Sequence, residues 1–186
     1  SHTSARICCA AMAAKLHFDL SAPAFPWRLS RALLDHHCEA ASVMFGRYHA
    51  SPAPGTLTRR GKARPIALAW HTPSKPAREA HANLHDAVEH GAYAVAFAAV
   101  HATDRYVVVR RAHHGSGADF LLLREGAAEH DFVKLEVSGI AEPDGPVLAR
   151  RLAEKLQQVQ TGDLRAPGLA VVVCFREPIV ALAELS

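Results

Sequence analysis

Residues 92–100, AYAVAFAAV, are almost wholly apolar and directly follow Gly91. They continue a helical stretch that begins near Ala77, in which Leu84, Val88, Gly91 and Val95 recur along one stripe. A helix that is apolar on every side has no face to give to water, so its second half must be buried. The rest of the chain has to supply the cover, and 186 residues suffice for a sizeable core.

The flanking sequence suggests what that cover is. Before the helix, KLHFDL (15–20) alternates like a short strand. A helix is expected from Trp27 to about Phe45, with Gly46 as its stop, and IALAW (66–70) reads as a second strand. Between them SPAPGTLTRRGKARP (51–65) is rich in Pro and Gly and carries Arg59, Arg60, Lys62 and Arg64. It reads as a mobile basic loop, either solvated or in contact with phosphate.

After the helix come RYVVVRRA (105–112), a Gly-containing turn HHGSG, ADFLLLRE (118–125) and FVKLEVSGI (132–140), which together read as a meander of three strands. Pro146 opens a further helix that runs to about Gln160, with Gly162 as its stop. LAVVVCF (169–175) is a strongly apolar strand, and IVALAEL (179–185) fits either a strand or a turn of helix.

The expected class is α+β: a mixed central sheet with helices on its faces, in the order helix, three strands, helix, strand. Residues 1–76 form a strand-helix-strand extension on the 77–186 core, and the whole forms one globular unit.

Composition bounds function more loosely. A net charge of +3 permits nucleic-acid contact without demanding it. The four cysteines, Cys8, Cys9, Cys38 and Cys174, show no CxxC spacing, which argues against a zinc ribbon and for a reduced, cytoplasmic protein. Cys174 lies in an apolar strand and reads as an inert core residue. ICCAAMAA (7–14) is too short to span a membrane and carries no expected targeting signal. No dinucleotide fingerprint, phosphate-binding loop or nucleophile elbow is present.

The residues that carry chemistry lie on the meander. In FVKLEVSGI, Val133, Leu135 and Val137 point to one side, and Lys134, Glu136 and Ser138 to the other. The polar side is either the wet face of a half-exposed strand or part of a site. Asp119 opens the preceding strand, and neighbouring antiparallel strands bring such residues together. Two carboxylates make a hard oxygen site suited to Mg²⁺ or Mn²⁺, to which the backbone carbonyl at Val137 and the helix residue Glu89 can add ligands. Asp119 after Gly117-Ala118 also fits ordinary turn chemistry, Glu89 a solvated helix face, and Glu79 competes as the helix acid.

This arrangement of Glu89, Asp119 and Glu136 on an αβββαβ order resembles the PD-(D/E)XK nuclease superfamily over about residues 77–176. The resemblance implies a restriction-endonuclease-like core and hydrolysis of DNA or RNA phosphodiesters. Glu89, Asp119 and Glu136 would bind one or two divalent ions, and a lysine would orient or activate the attacking water. The motif lysine position is Ser138 here. Lys134, two residues upstream, and Lys155, on the following helix, are the candidate substitutes. Arg110 and Arg111 would join Arg59, Arg60, Lys62 and Arg64 in holding phosphates.

The alternative is a non-catalytic nucleic-acid- or protein-binding assembly protein that keeps the nuclease-like fold, as a homodimer or with a partner. The histidines at Asp35-His36-His37-Cys38 diverge by about 100° per residue on a helix, so they read as structural or solvated. His81, His85 and Glu89 share a helix face by spacing and read as a solvated face. His113 and His114 read as exposed turn residues.

Overall fold

The structure, a computed structural model, describes residues 15–143 and 146–185. Residues 7–14, with Cys8 and Cys9, lie outside that range. The elements in chain order are β1 (Leu16–Asp19), α1 (Arg31–Gly46), β2 (Ala53–Arg59), β3 (Lys62–Ala69), α2 (Lys75–Ala80) and α3 (Leu84–Asp104). They continue with β4 (Tyr106–Arg111), β5 (Phe120–Arg124), β6 (Val133–Ile140), α4 (Val147–Thr161), β7 (Gly168–Cys174) and β8 (Ile179–Leu185). All eight strands join one mixed sheet in the order β1-β3-β2-β8-β7-β6-β5-β4, an α+β architecture. From α3 to β7 the chain runs helix, three strands, helix, strand. β4, β5 and β6 form the antiparallel meander, and α4 carries the chain back so that β7 runs parallel to β6.

Alternation along β6 and β7 sets the layers. Leu135, Val137, Leu169, Val171 and Val173 face one side and merge with α1 and α3 into the main core. Val172, Cys174 and Ile140 face the other side, where Val147, Leu148 and Leu152 of α4 cover them. β7 is buried along its whole length, as expected of a strand covered on both faces.

The run 92–100 is buried throughout. It lies between the sheet and α1, and Trp27 closes over Phe97 with ring centroids 4.9 Å apart. The two helices approach closely: a Cβ on Gly91 would stand 3.0 Å from the Ala41 backbone, so only Gly permits this separation.

Two expectations change and one open reading is settled. The basic segment 51–65 is no mobile loop. It forms most of the β2–β3 hairpin, with Arg60 and Gly61 both at positive φ (49° and 71°) in its turn. Its strands are regular because β3 also pairs with β1, and β2 runs parallel to β8, which fastens the N-terminal part of the chain into the same sheet. Pro65 lies one residue before the β1 pairing starts at Ile66.

The single long helix from Ala77 divides into α2 and α3. Asn83 caps α3, its side chain accepting from the His85 N–H, and Asn competes well with the helix at such a position. The ambiguous segment 179–185 is a strand, β8, antiparallel to β7 along its full length. No helix among the described residues is long and apolar enough to cross a membrane. Cys38 and Cys174 are buried free thiols, their pKa values pushed up by burial to about 12 and about 11.

Candidate acidic metal site

The polar side of β6 is not a wet face. Lys134, Glu136 and Ser138 are 2%, 6% and 8% exposed. α4 covers them, and each finds a partner on it. Lys134 Nζ donates to the Val159 carbonyl, Lys155 Nζ donates to Glu136 Oε1 at 2.6 Å, and Arg151 Nη1 donates to Ser138 Oγ at 3.1 Å. The register follows from geometry. Two residues of strand rise about 6.6 Å and four residues of helix about 6.0 Å, so β6 residues two apart meet antiparallel α4 residues four apart.

Asp119 reaches Glu136 because β5 is shorter than β6. The last β5–β6 pair is Phe120 with Leu135, where the Asp119 N–H donates to the Leu135 carbonyl at 2.9 Å. Beyond it the β6 edge is vacated, and the Asp119 carboxylate takes the missing strand's place: Val137 N–H donates to Asp119 Oδ2 at 2.9 Å. A strand residue presents its N–H and C=O to the same side, so the Val137 carbonyl opens on this edge as well.

α3 completes the site from the other face. The Tyr93 hydroxyl lies 2.7 Å from Glu89 Oε1 and 3.3 Å from Asp119 Oδ1, joining the two acids through one donor. This approach again needs a glycine: a Cβ on Gly139 would stand 2.3 Å from the Val88 carbonyl oxygen. Glu79 is out of reach on α2, paired with Lys75 at 3.7 Å.

Two clefts meet at Asp119. One, of about 670 Å³, is lined by Glu89, Tyr93, Asp119, Ser138, Arg151 and Lys155 among others. The other, of about 570 Å³, is lined by Arg111, His114, Asp119, Glu136 and Gln158 among others. Such volumes suit a nucleotide-sized ligand.

The electrostatics are those of crowded acids. Burial holds Asp119 above its ordinary carboxylate range, against the opposing pull of the Val137 N–H, Lys155 and Arg111. Burial and then the Asp119 charge hold Glu136 above its range, against the contacts from Lys155. Tyr93 is pushed up by burial and the adjacent carboxylates, so it stays a hydroxyl donor. Lys155 and Arg111 supply positive charge beside the part-buried Asp119 and the buried Glu136. The donors are all oxygen, which fits Mg²⁺ or Mn²⁺.

Of the sequence candidates, Asp119 meets the Val137 N–H, Lys155 meets Glu136, and Glu89 reaches Asp119 only through the Tyr93 hydroxyl; Glu89 lines one cleft and Glu136 the other. Lys134 is directed to the end of α4, and Ser138 is held by Arg151. The basic residues divide. Arg111 lies beside the acids, with its guanidinium over the Tyr93 and Phe120 rings at 5.4 and 4.7 Å, whereas Arg110 lies over Phe132 at 4.8 Å. Arg59 pairs with Asp104 and Glu184, each at 2.8 Å, and Arg60 also pairs with Glu184. The hairpin carrying these two, together with Lys62 and Arg64, lies beyond β8 and β7, and none of the four lines either cleft.

Sequence reasoning missed Tyr93, hidden in the apolar run, and Arg151. Arg151 and Lys155 stand four apart on one helix face, a spacing that signals a shared partner surface. Comparison with protein-family models, curated proteins and solved structures found no match.

Proposed function

We propose that this chain is a divalent-metal-dependent phosphodiesterase of nuclease type, acting on DNA or RNA. The observation that carries the reading is the part-buried Asp119 beside the buried Glu136 at the vacated edge of β6, with Lys155 on Glu136 and Glu89 tied to Asp119 through Tyr93.

Asp119 and Glu136 would hold Mg²⁺ or Mn²⁺, with the Val137 carbonyl as a further ligand and Glu89 acting on Asp119 through the Tyr93 hydroxyl. When bound, the ion polarises a phosphoryl oxygen and lowers the pKa of its water. Tyr93 fixes the direction of the Asp119 and Glu89 carboxylates. Lys155, with its ammonium inside the site, stabilises negative charge on the attacked phosphate and takes the position that Ser138 leaves vacant. Arg111, fixed over two rings, and Arg151, at the rim of the other cleft, are positioned to hold the flanking phosphates.

The test is cleavage of labelled single- and double-stranded DNA and RNA in Mg²⁺, Mn²⁺ or EDTA. Wild type, Asp119→Asn, Glu136→Gln and Lys155→Met are compared. Metal-dependent cleavage by wild type, abolished in Asp119→Asn and Glu136→Gln, supports the proposal. Absence of cleavage on every substrate with either metal overturns it, and retained binding in that case favours the non-catalytic assembly protein.

A further inference from the structure

A second cluster of titratable side chains lies on the other flank of Tyr93, outside the acidic site. His36 and His37 come from α1 and His90 from α3, and their ligand atoms all lie within 4.8 Å of one another. On one helix the adjacent histidines diverge, as their spacing requires. The close α1–α3 approach at Gly91 and Ala41 lowers His90 between them, at centroid distances of 4.7 Å from His36 and 5.4 Å from His37.

Of the two readings the sequence leaves for His37, structural or solvated, the structure shows the buried one. It is 2% exposed, packed against the rings of Tyr93, Phe97 and Phe120, and neither ring nitrogen has a hydrogen-bond partner. A buried imidazole with two orphaned nitrogens costs stability unless something binds it. Above it His36 Nε2 and His90 Nδ1 stand 2.5 Å apart, so one of them shares a proton with the other's lone pair.

We propose that His36, His37 and His90 form a binding site for Zn²⁺ that pins α1 to α3. A tetrahedral zinc ion with bonds of about 2.0–2.1 Å spaces its ligand nitrogens by about 3.3 Å. Rotation of the His36 and His90 rings would open their 2.5 Å contact toward that spacing. Both ring nitrogens of His37 lack a hydrogen-bond partner, so one of them can turn a lone pair to the ion.

Three protein nitrogens leave a fourth position, and exposed His36 places it toward solvent, open to water or an anionic ligand. Nitrogen donors select zinc, whereas the all-oxygen donors beyond Tyr93 select magnesium or manganese, so the two sites take different ions. His81 stands beside His36 at 5.1 Å, with its Nε2 3.1 Å from Glu39, and supplies a polar flank to the site.

The experiment is Zn²⁺ titration of the metal-stripped protein by calorimetry, with thermal melts and the visible spectrum of the Co²⁺-substituted form. Wild type is compared with His36→Ala, His90→Ala, His37→Leu and Asp119→Asn. The expected result is one Zn²⁺ per chain and a melting temperature raised by about 5–10 °C at free zinc 100-fold above Kd. Tetrahedral Co²⁺ bands are expected as well. Affinity falls roughly 100-fold or more in each His variant and is unchanged in Asp119→Asn. His36→Ala and His90→Ala alter partly exposed residues and leave the fold intact. His37→Leu melts no lower than wild type without metal, because it removes a buried polar group that has no partner.

No stoichiometric zinc binding by wild type, or binding undiminished in both His36→Ala and His90→Ala, overturns the proposal. Zinc binding lost in Asp119→Asn but kept in the His variants assigns the ion to the acidic site, and also overturns it.

Discussion

Replacing Lys155 by Met removes the cation that stands 2.6 Å from Glu136 Oε1 while keeping most of the side-chain volume on α4. The Glu136 and Lys155 side chains are 8% and 19% exposed, so water replaces the lost ammonium poorly. At an effective dielectric of about 20 the lost attraction is about 6 kcal/mol. That figure is not what the variant loses, because a second process costs less. Glu136 takes up a proton rather than remain an unpaired buried charge. Its ordinary pKa is 4.5. Protonation therefore costs about 3.4 kcal/mol at pH 7 and about 0.7 kcal/mol at pH 5, at about 1.4 kcal/mol per pH unit. These values cap the destabilisation.

The sign follows from the same groups. Burial raises the folded-state pKa of Glu136, and removing Lys155 raises it further. The carboxyl's favourable contribution is complete below 4.5 and is lost as pH rises through the folded value. The assay is urea unfolding of both proteins at pH 5, 6 and 7. The difference should be smaller in acid and widen as pH rises, by at most about 1.4 kcal/mol per pH unit. A difference that stays constant across this range refutes the buried pairing of Lys155 with Glu136.

Asp119→Asn keeps the acceptor for Val137 N–H and removes the part-buried carboxylate whose charge repels that of Glu136. Thermal melts at pH 7 should show a gain of about 1 kcal/mol, or roughly 2–4 °C, together with loss of cleavage. Gly139→Val places its Cβ against a carbonyl oxygen of α3 that cannot rotate away. It should cost about 3 kcal/mol in chemical denaturation, at the upper end for overpacking. Arg59→Ala loses its ion pairs to Asp104 and Glu184 and should lower stability by about 1–2 kcal/mol. In fluorescence anisotropy the same variant should leave nucleic-acid affinity unchanged, whereas Arg111→Ala should weaken it.

Much of the architecture was legible because it rests on local periodicity. The apolar run 92–100 announced a buried helix, and the alternation in 132–140 announced a strand whose odd and even residues meet different layers. The basic segment 51–65 misled because its Pro and Gly content reads as loop, while its strands are fixed by pairing within the hairpin and by β8, distant in sequence. The break before α3 turned on one capping residue, Asn83.

Within the site, the pairing of Asp119 with Glu136 followed from adjacent strands. That Lys155 rather than Lys134 meets Glu136 depends on how α4 returns across the sheet, which no local pattern fixes. The histidine cluster was illegible for the same reason. His36 and His37 diverge on their own helix, and only the packing of α3 brings His90 between them.

The central claim is that Asp119 and Glu136 hold a divalent ion. Anomalous diffraction from crystals soaked in Mn²⁺ tests it most directly. The account predicts a peak about 2.1–2.3 Å from carboxylate oxygens of both residues, at the vacated edge of β6. A peak confined to the histidine cluster, or no peak between the two carboxylates, would contradict it.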